Sequence, residues 1–138
     1  MEIRKRFRSP TSRDDAVERL CRDETLMSLL PGDTEIVESE GDRRTTRTRY
    51  VALGREGVAT FHFTYQLDGN VRFEKVCDGK VWRRLEGSVE IEEDGAGSLI
   101  TIEMEGRTKT FVPEVAIKVP LEDQMQTMVD ALRELLGG

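Results

Sequence analysis

The sequence VATFHFTYQL at residues 58–67 decides the fold of this chain. From Ala59 onward, apolar and polar side chains alternate without a break, which predicts a β-strand with one buried face. That face would carry every second residue, namely Ala59, Phe61, Phe63, Tyr65 and Leu67. A hairpin turn is predicted at Asp68-Gly69-Asn70, with residues 71–77 as the partner strand. The segment therefore predicts an antiparallel sheet.

Further strands are predicted on both sides of this hairpin. They cover residues 2–8, 34–40, 43–53, 81–92 and 98–105, and turn residues separate them, among them Gly41-Asp42, Asp78-Gly79 and the run DGAG at 94–97. Because the connections are short, successive strands should pair as an antiparallel meander. We expect six to seven strands in one curved sheet.

Three helices are predicted outside the meander. Ser12 is a suitable N-cap for the first, and the second runs from about Asp23 to the turn at Leu30-Pro31-Gly32-Asp33. The third is long and begins near Pro120, because proline fits the first helical position. Residues 106–119, before it, are either extended or an irregular helical lead-in. One apolar stripe marks the long helix: Leu121, Met125, Met128, Val129, Leu132, Leu135 and Leu136.

The order of these elements defines an α+β chain, because strands and helices do not alternate. A sheet with one apolar face needs a cover, and only the C-terminal helix is long enough to provide it. We expect a single domain over residues 1–138, with this helix packed across the sheet.

Composition argues against several classes of protein. The chain carries 27 acidic and 21 basic residues, and its net charge of −6 argues against a general nucleic-acid-binding protein. No apolar run approaches the ~20 residues of a membrane span, and Met1–Arg8 has no apolar signal core. Cys21 and Cys77 stand in no metal-binding spacing, so we expect reduced thiols and a cytoplasmic protein. We expect no cofactor, and one histidine excludes a histidine-rich metal site.

The opening of the chain resembles that of a known superfamily. Residues 7–32, FRSPTSRDDAVERLCRDETLMSLLPG, are similar to the start of the helix-grip superfamily: a first strand, a Ser-Pro corner, two helices and a Pro-Gly turn. This superfamily includes START-like domains, polyketide cyclase/dehydrase-like proteins and birch-pollen-allergen-like proteins. The resemblance implies a cavity between the sheet and the long helix, often used for lipids, sterols or polyketides. It implies no catalytic residue, because the superfamily shares no catalytic set.

Ligand contacts are predicted at the inward-facing positions of the strands and on the apolar stripe of the long helix. They are Phe61, Phe63, Tyr65, Phe73, Met104, Met125, Met128 and Leu132. Methionine adapts to varied shapes, which suits a pocket wall, although an ordinary core stripe is the alternative. For Tyr65 the alternative is a core hydroxyl bonded to protein.

A charged anchor for the ligand is predicted at Arg83. It shares the phase of four apolar residues, Val81, Leu85, Val89 and Ile91. On residues 43–53 the same reasoning turns Arg47 and Arg49 inward, in the phase of Val51 and Leu53. A buried arginine needs an acceptor, and a ligand carboxylate or enolate would provide one. The alternative is a bulge that reverses the phase, or an arginine at the rim of the sheet.

Three functions follow from this reading. The first is a binding module for an apolar or amphipathic small molecule. The second is an enzyme of the cyclase/dehydrase type, which the outward phase of His62 disfavours because no imidazole would enter the cavity. The third is a protein-interaction domain with a filled core, which predicts an exposed apolar patch instead of a cavity.

Overall fold

The computed structural model describes residues 1–30, 32–52, 54–77 and 80–138. Four residues that entered the predictions lie outside this part: Pro31, Leu53, Asp78 and Gly79. The described elements are β1 Glu2–Ser9, α1 Arg13–Leu20, α2 Asp23–Leu29, β2 Asp33–Glu40, β3 Arg43–Ala52, β4 Arg55–Tyr65, β5 Val71–Lys75, β6 Trp82–Asp94, β7 Gly97–Thr108 and α3 Glu114–Leu136.

The strands form one antiparallel sheet in the order β1-β7-β6-β5-β4-β3-β2. From β2 to β7 each strand pairs with the next along the chain, and β1 pairs with β7. Period-two alternation leaves one face apolar, and α3 covers that face with a buried stripe. The stripe consists of Leu121, Met125, Met128, Val129, Leu132 and Leu136. The predicted α+β helix-grip fold is confirmed, with seven strands.

The C-terminal end of α3 is held by the corner that follows β1. The hydroxyls of Ser9 and Thr11 donate to the Leu136 carbonyl at 2.7 and 2.6 Å. The Arg19 guanidinium donates to the Leu135 carbonyl at 3.0 Å. The last carbonyls of a helix have no partner inside it, so these donors satisfy groups that would otherwise be unpaired. The Ser-Pro corner therefore fixes the end of α3.

The N-terminal end of α3 differs from the prediction. The helix begins at Glu114 after the N-cap Pro113, and Pro120 lies inside it. Of the two alternatives for residues 106–119, the helical lead-in applies from residue 114 onward. The prediction placed the start too late because the lead-in has no fully buried residue: Ile117 packs partly buried against the core, and full burial begins at Leu121. No helix in the described part of the chain, α3 included, is long and apolar enough to span a membrane.

The inward phase of β3 is opposite to the prediction. Thr46 pairs with Phe61 of β4, and directly paired residues of antiparallel strands share a face. Thr46 and Thr48 are therefore buried, whereas Arg47 and Arg49 are exposed. Hydropathy predicted the wrong inward face because β3 buries Thr46 and Thr48 and exposes Val51, the valine on which the prediction was based.

A β-bulge at the start of β6 makes the prediction for Arg83 wrong. The register shifts by one residue between Trp82 and Arg84, so Arg83 is the extra residue. Trp82 and Leu85 are both buried on the inner face, and Arg83 is exposed. The alternative stated above, a bulge that reverses the phase, describes this strand. Arg83 is therefore not placed to anchor a ligand under α3.

Candidate functional site

A cavity of about 240 Å³ lies between the sheet and α3. Strands β3 to β7, the end of α2 and the middle of α3 contribute to its wall. The lining residues are Leu30, Thr48, Tyr50, Val51, Ala59, Phe61, Lys75, Trp82, Leu85, Met104, Gln124 and Met128. Ligand sites in proteins usually measure roughly 300–1,000 Å³, so this cavity suits a small ligand or the buried part of a larger one.

The inner wall of the cavity is apolar. The ring of Phe61 lines it, and Phe63 and Phe73 pack behind with centroids 6.2 and 6.3 Å from that of Phe61. Met104 reaches the cavity from the sheet and Met128 reaches it from α3, and both are almost completely buried. This part of the wall can bury ligand carbon but offers a ligand no hydrogen bond.

Four polar side chains also line the wall: Thr48, Tyr50, Lys75 and Gln124. The hydroxyl of Thr48 is already bonded to that of Thr34, at 2.7 Å between the oxygens. The side chains of Tyr50, Lys75 and Gln124 have no hydrogen-bond or ion-pair partner within the described residues. All three can donate, through a hydroxyl, an ammonium and an amide group. The cavity therefore presents unused donors beside an apolar interior.

Lys75 reaches the cavity because β5 follows the phase of β4. Lys75 pairs with Phe61, and Phe73 pairs with Phe63, so Lys75 and Phe73 both lie on the inner face. The sequence analysis did not identify Lys75, although its alternation with Val71 and Phe73 was a sufficient signal. Tyr50 and Gln124 gave no such signal. Tyr50 lies on the same face of β3 as Thr46 and Thr48, which are polar, and Gln124 lies beside the apolar stripe of α3.

The predicted ligand contacts separate into three groups. Phe61, Met104 and Met128 line the cavity. Tyr65 and Arg83 do not, because Tyr65 joins a separate polar cluster and Arg83 is exposed at the bulge. The remaining four are buried in the core and do not line the cavity: Phe63, Phe73, Met125 and Leu132.

The polar cluster of Tyr65 joins α2 to the sheet. The tyrosine hydroxyl lies 3.5 Å from Asp23 Oδ1, and Arg44 Nε donates to the same oxygen at 3.1 Å. The Arg44 guanidinium also lies 5.5 Å from the centroid of the Tyr65 ring. Burial, and then the charge of Asp23, raise the pKa of Tyr65, so its phenol stays protonated and can donate. The alternative of a hydroxyl bonded to protein therefore describes Tyr65.

The opposite face of the sheet carries a larger, open depression of about 450 Å³. His62 lies there, on the face that the sequence predicted, and shares a hydrogen bond with Thr45 at 2.9 Å. The described residues contain no group of side chains arranged to bind a metal ion. Five glutamates line this depression: Glu74, Glu86, Glu90, Glu103 and Glu105. Such a charged surface does not suit an apolar ligand.

Comparison with solved structures identifies proteins of the same architecture. The Zhui aromatase/cyclase from Streptomyces sp. R1128 has a TM-score of 0.80 at 11% identity, covering 96% of this chain and 90% of that chain. A START superfamily protein from Mycobacterium smegmatis has a TM-score of 0.76 at 16% identity, covering 98% and 96%. A STAR-related lipid transfer protein from Xanthomonas axonopodis has a TM-score of 0.70 at 22% identity, covering 96% and 84%.

These likenesses confirm the resemblance to the START-like helix-grip proteins at the level of the fold. At such identities they concern the fold alone. The sequence matches no profile of a known protein family and no curated protein. A fold of this kind does not imply one function, which depends on the residues that line the cavity.

Proposed function

We propose that this protein is a binding module that holds an apolar or amphipathic small molecule in the cavity between the sheet and α3. The cavity itself is the observation that carries the proposal. Protein interiors are close-packed, with few voids larger than a water molecule. A hollow of about 240 Å³ bordered by Phe61, Met104 and Met128 is therefore best explained by a ligand that fills it.

The architecture of the wall supports binding over the two alternatives. A filled core would leave no hollow under α3. Among the described lining residues there is no carboxylate and no imidazole, so an acid–base enzyme would have to rely on Tyr50 or Lys75, whereas histidine is the residue most often used for that chemistry. One structural neighbour is named a lipid transfer protein, which supports a lipid-like ligand here. A cytoplasmic location is part of the proposal, and the two free cysteines agree with a reducing compartment.

The first test is native mass spectrometry of the protein purified gently from its own source, followed by identification of any molecule released on denaturation. The same measurement is repeated on Ala59→Phe, which would fill the cavity from β4. We expect one apolar or amphipathic molecule bound to the wild type and none bound to the variant.

Val58→Phe is the matched control, because Val58 directly precedes Ala59 in β4 and its side chain is exposed outside the cavity. It should keep the bound molecule. The proposal fails if Ala59→Phe retains the same molecule. It also fails if the wild type stays free of ligand after incubation with a mixed lipid and polyketide extract.

A further inference from the structure

Lys75 is the only charged side chain among the described residues that line the cavity. It is half-buried, and its ammonium has no acidic partner in the described part of the chain. The neighbouring charges of β5, Arg72 and Glu74, lie on the other face of the sheet and line the outer depression. Although the chain as a whole is acidic, with a net charge of −6, the described residues that line this cavity contribute one positive charge and no negative one.

A lone ammonium on an apolar wall selects between ligands. A wholly apolar ligand would cover the ammonium and remove its water without replacing the lost hydrogen bonds, which is unfavourable. A ligand with an acidic group would replace that water with a charge-assisted hydrogen bond. The same cavity should therefore bind an acid more tightly than an uncharged molecule of the same carbon skeleton.

The neutral donors beside Lys75 indicate which acid fits. A carboxylate has two oxygens with about four acceptor positions, so it can accept from the Lys75 ammonium and also from the Tyr50 hydroxyl or the Gln124 amide. It carries one negative charge, which one ammonium balances. A phosphate monoester carries roughly −1.5 to −2 at pH 7, which exceeds the one positive charge that the described lining residues supply.

We infer that the ligand is an amphipathic carboxylic acid whose carboxylate binds Lys75 and whose carbon chain lies between Met104 and Met128. The inference rests on the proposed function and adds the chemical class of the ligand. The orientation follows from burial, because Lys75 and Tyr50 are half-buried and Gln124 is exposed, whereas the two methionines are almost completely buried. The acid group therefore stays at the opening of the cavity.

The experiment uses the protein labelled with ¹³C at its methionine methyl groups. Met104 and Met128 report on the cavity, while Met27 is exposed on α2 and Met125 is buried away from the cavity wall. The protein is titrated with octanoate and, separately, with its uncharged methyl ester. Both compounds should shift the signals of Met104 and Met128 and leave that of Met27 in place. We expect octanoate to bind about tenfold more tightly than the ester, a difference of about 1.4 kcal/mol.

Three variants test the role of Lys75. Lys75→Met should weaken octanoate binding about tenfold and leave ester binding equal or slightly tighter, because the ammonium no longer has to lose its water. Lys75→Arg should retain the preference for the acid. Lys118→Met removes the same charge from an exposed position of α3 outside the cavity wall and should change neither affinity.

Each outcome decides a different point. Equal affinity for acid and ester, or an undiminished preference for the acid in Lys75→Met, overturns the inference and leaves the binding module standing. Ester binding by Lys75→Met also shows that this variant is folded. If neither compound shifts the Met104 and Met128 signals, the proposed function fails and the inference fails with it.

Discussion

Tyr50 lies directly across the β3–β4 pair from Gly57, and its ring occupies the space where a side chain on Gly57 would be. A Cβ built on Gly57 would stand 2.5 Å from Tyr50 Cζ and 2.7 Å from the hydroxyl oxygen. The glycine therefore gives the ring its place beside the cavity. Phe73 covers Gly87 in the same way, directly across the β5–β6 pair, whereas Trp82 covers Gly106 from a diagonal position, since Gly106 pairs with Leu85.

Replacing Gly57 by alanine should destabilise the protein and narrow the cavity. The Tyr50 ring would have to leave its position, and overpacking of this kind typically costs about 1–3 kcal/mol. Urea denaturation measures the free energy of unfolding. Titration with a ligand that the wild type binds measures the affinity, which reports on the cavity. In a Tyr50→Ala background the same Gly57→Ala change should cost little, because the conflict is gone. An equal cost in both backgrounds would show that the ring does not explain the glycine.

The two buried threonines of β3 should respond oppositely to replacement by valine. The Thr46 hydroxyl is buried and has no hydrogen-bond partner among the described residues. Thr46→Val should therefore raise the free energy of unfolding by about 1 kcal/mol, because it removes an unpaired polar group. Thr48→Val should lower it by about 1 kcal/mol, because Thr48 is bonded to Thr34. Urea denaturation of both variants tests the pair, and a loss of stability in Thr46→Val would contradict the assignment.

The lead-in of α3 should open more readily than the rest of the helix. Residues 114–119 are mostly exposed, and Pro120 removes one backbone hydrogen bond from the helix. We expect amide hydrogen exchange in the lead-in to be much faster than in residues 121–136, whose far end Ser9 and Thr11 hold. Pro120→Ala should slow exchange in the lead-in, since it restores that bond.

Pro113→Ala is the control for this experiment. Pro113 precedes the helix as its N-cap, where its missing N–H interrupts no bond of the helix. The substitution should leave exchange in residues 114–119 unchanged. Uniform protection on both sides of Pro120 in the wild type would refute the distinction between the lead-in and the packed part of α3.

Two neighbouring carboxyl groups on the outer face, those of Glu2 and Glu103, should make stability depend on pH. A hydrogen bond with Glu103, and then the charge of Glu103, raise the pKa of Glu2 above the ordinary value of 4.5. The same hydrogen bond, and then the neighbouring Arg4, lower the pKa of Glu103. The contribution of Glu2 to the free energy of unfolding is therefore complete below about pH 4.5, and it is lost as the pH rises through the raised pKa of Glu2. The contribution of Glu103 has the opposite sign: it is present above its ordinary pKa and is lost as pH falls through the lowered one.

Glu2→Gln should raise the melting temperature at pH 7, because the amide can donate to Glu103 without taking up a proton. The gain over the wild type should shrink as the pH approaches 4.5, where the wild type carries its own proton at this position. Glu38→Gln, at the opposite edge of the sheet, should show no such convergence. A difference between wild type and Glu2→Gln that is constant from pH 7 to pH 4.5 would contradict this interaction of Glu2 with Glu103.

The site was harder to predict from the sequence than the fold. Phe61, Met104 and Met128 were identified because they lie in clean apolar patterns. The errors arose where the pattern itself misleads: the bulge places both Trp82 and Leu85 on the inner face, and β3 buries threonines. Neither feature has a signal in hydropathy, because a bulge and a polar inner face depend on how neighbouring strands pair.

The sequence by itself determined the α+β fold class, the order of the elements and the helix that covers the sheet. Period-two and helical patterns are local, and they are long enough here to be unambiguous. The tertiary structure alone decided which polar groups meet at the cavity. Tyr50, Lys75 and Gln124 come from β3, β5 and α3, and only strand register and the position of α3 bring them together. Register is a relation between segments distant in the chain, so no local pattern contains it.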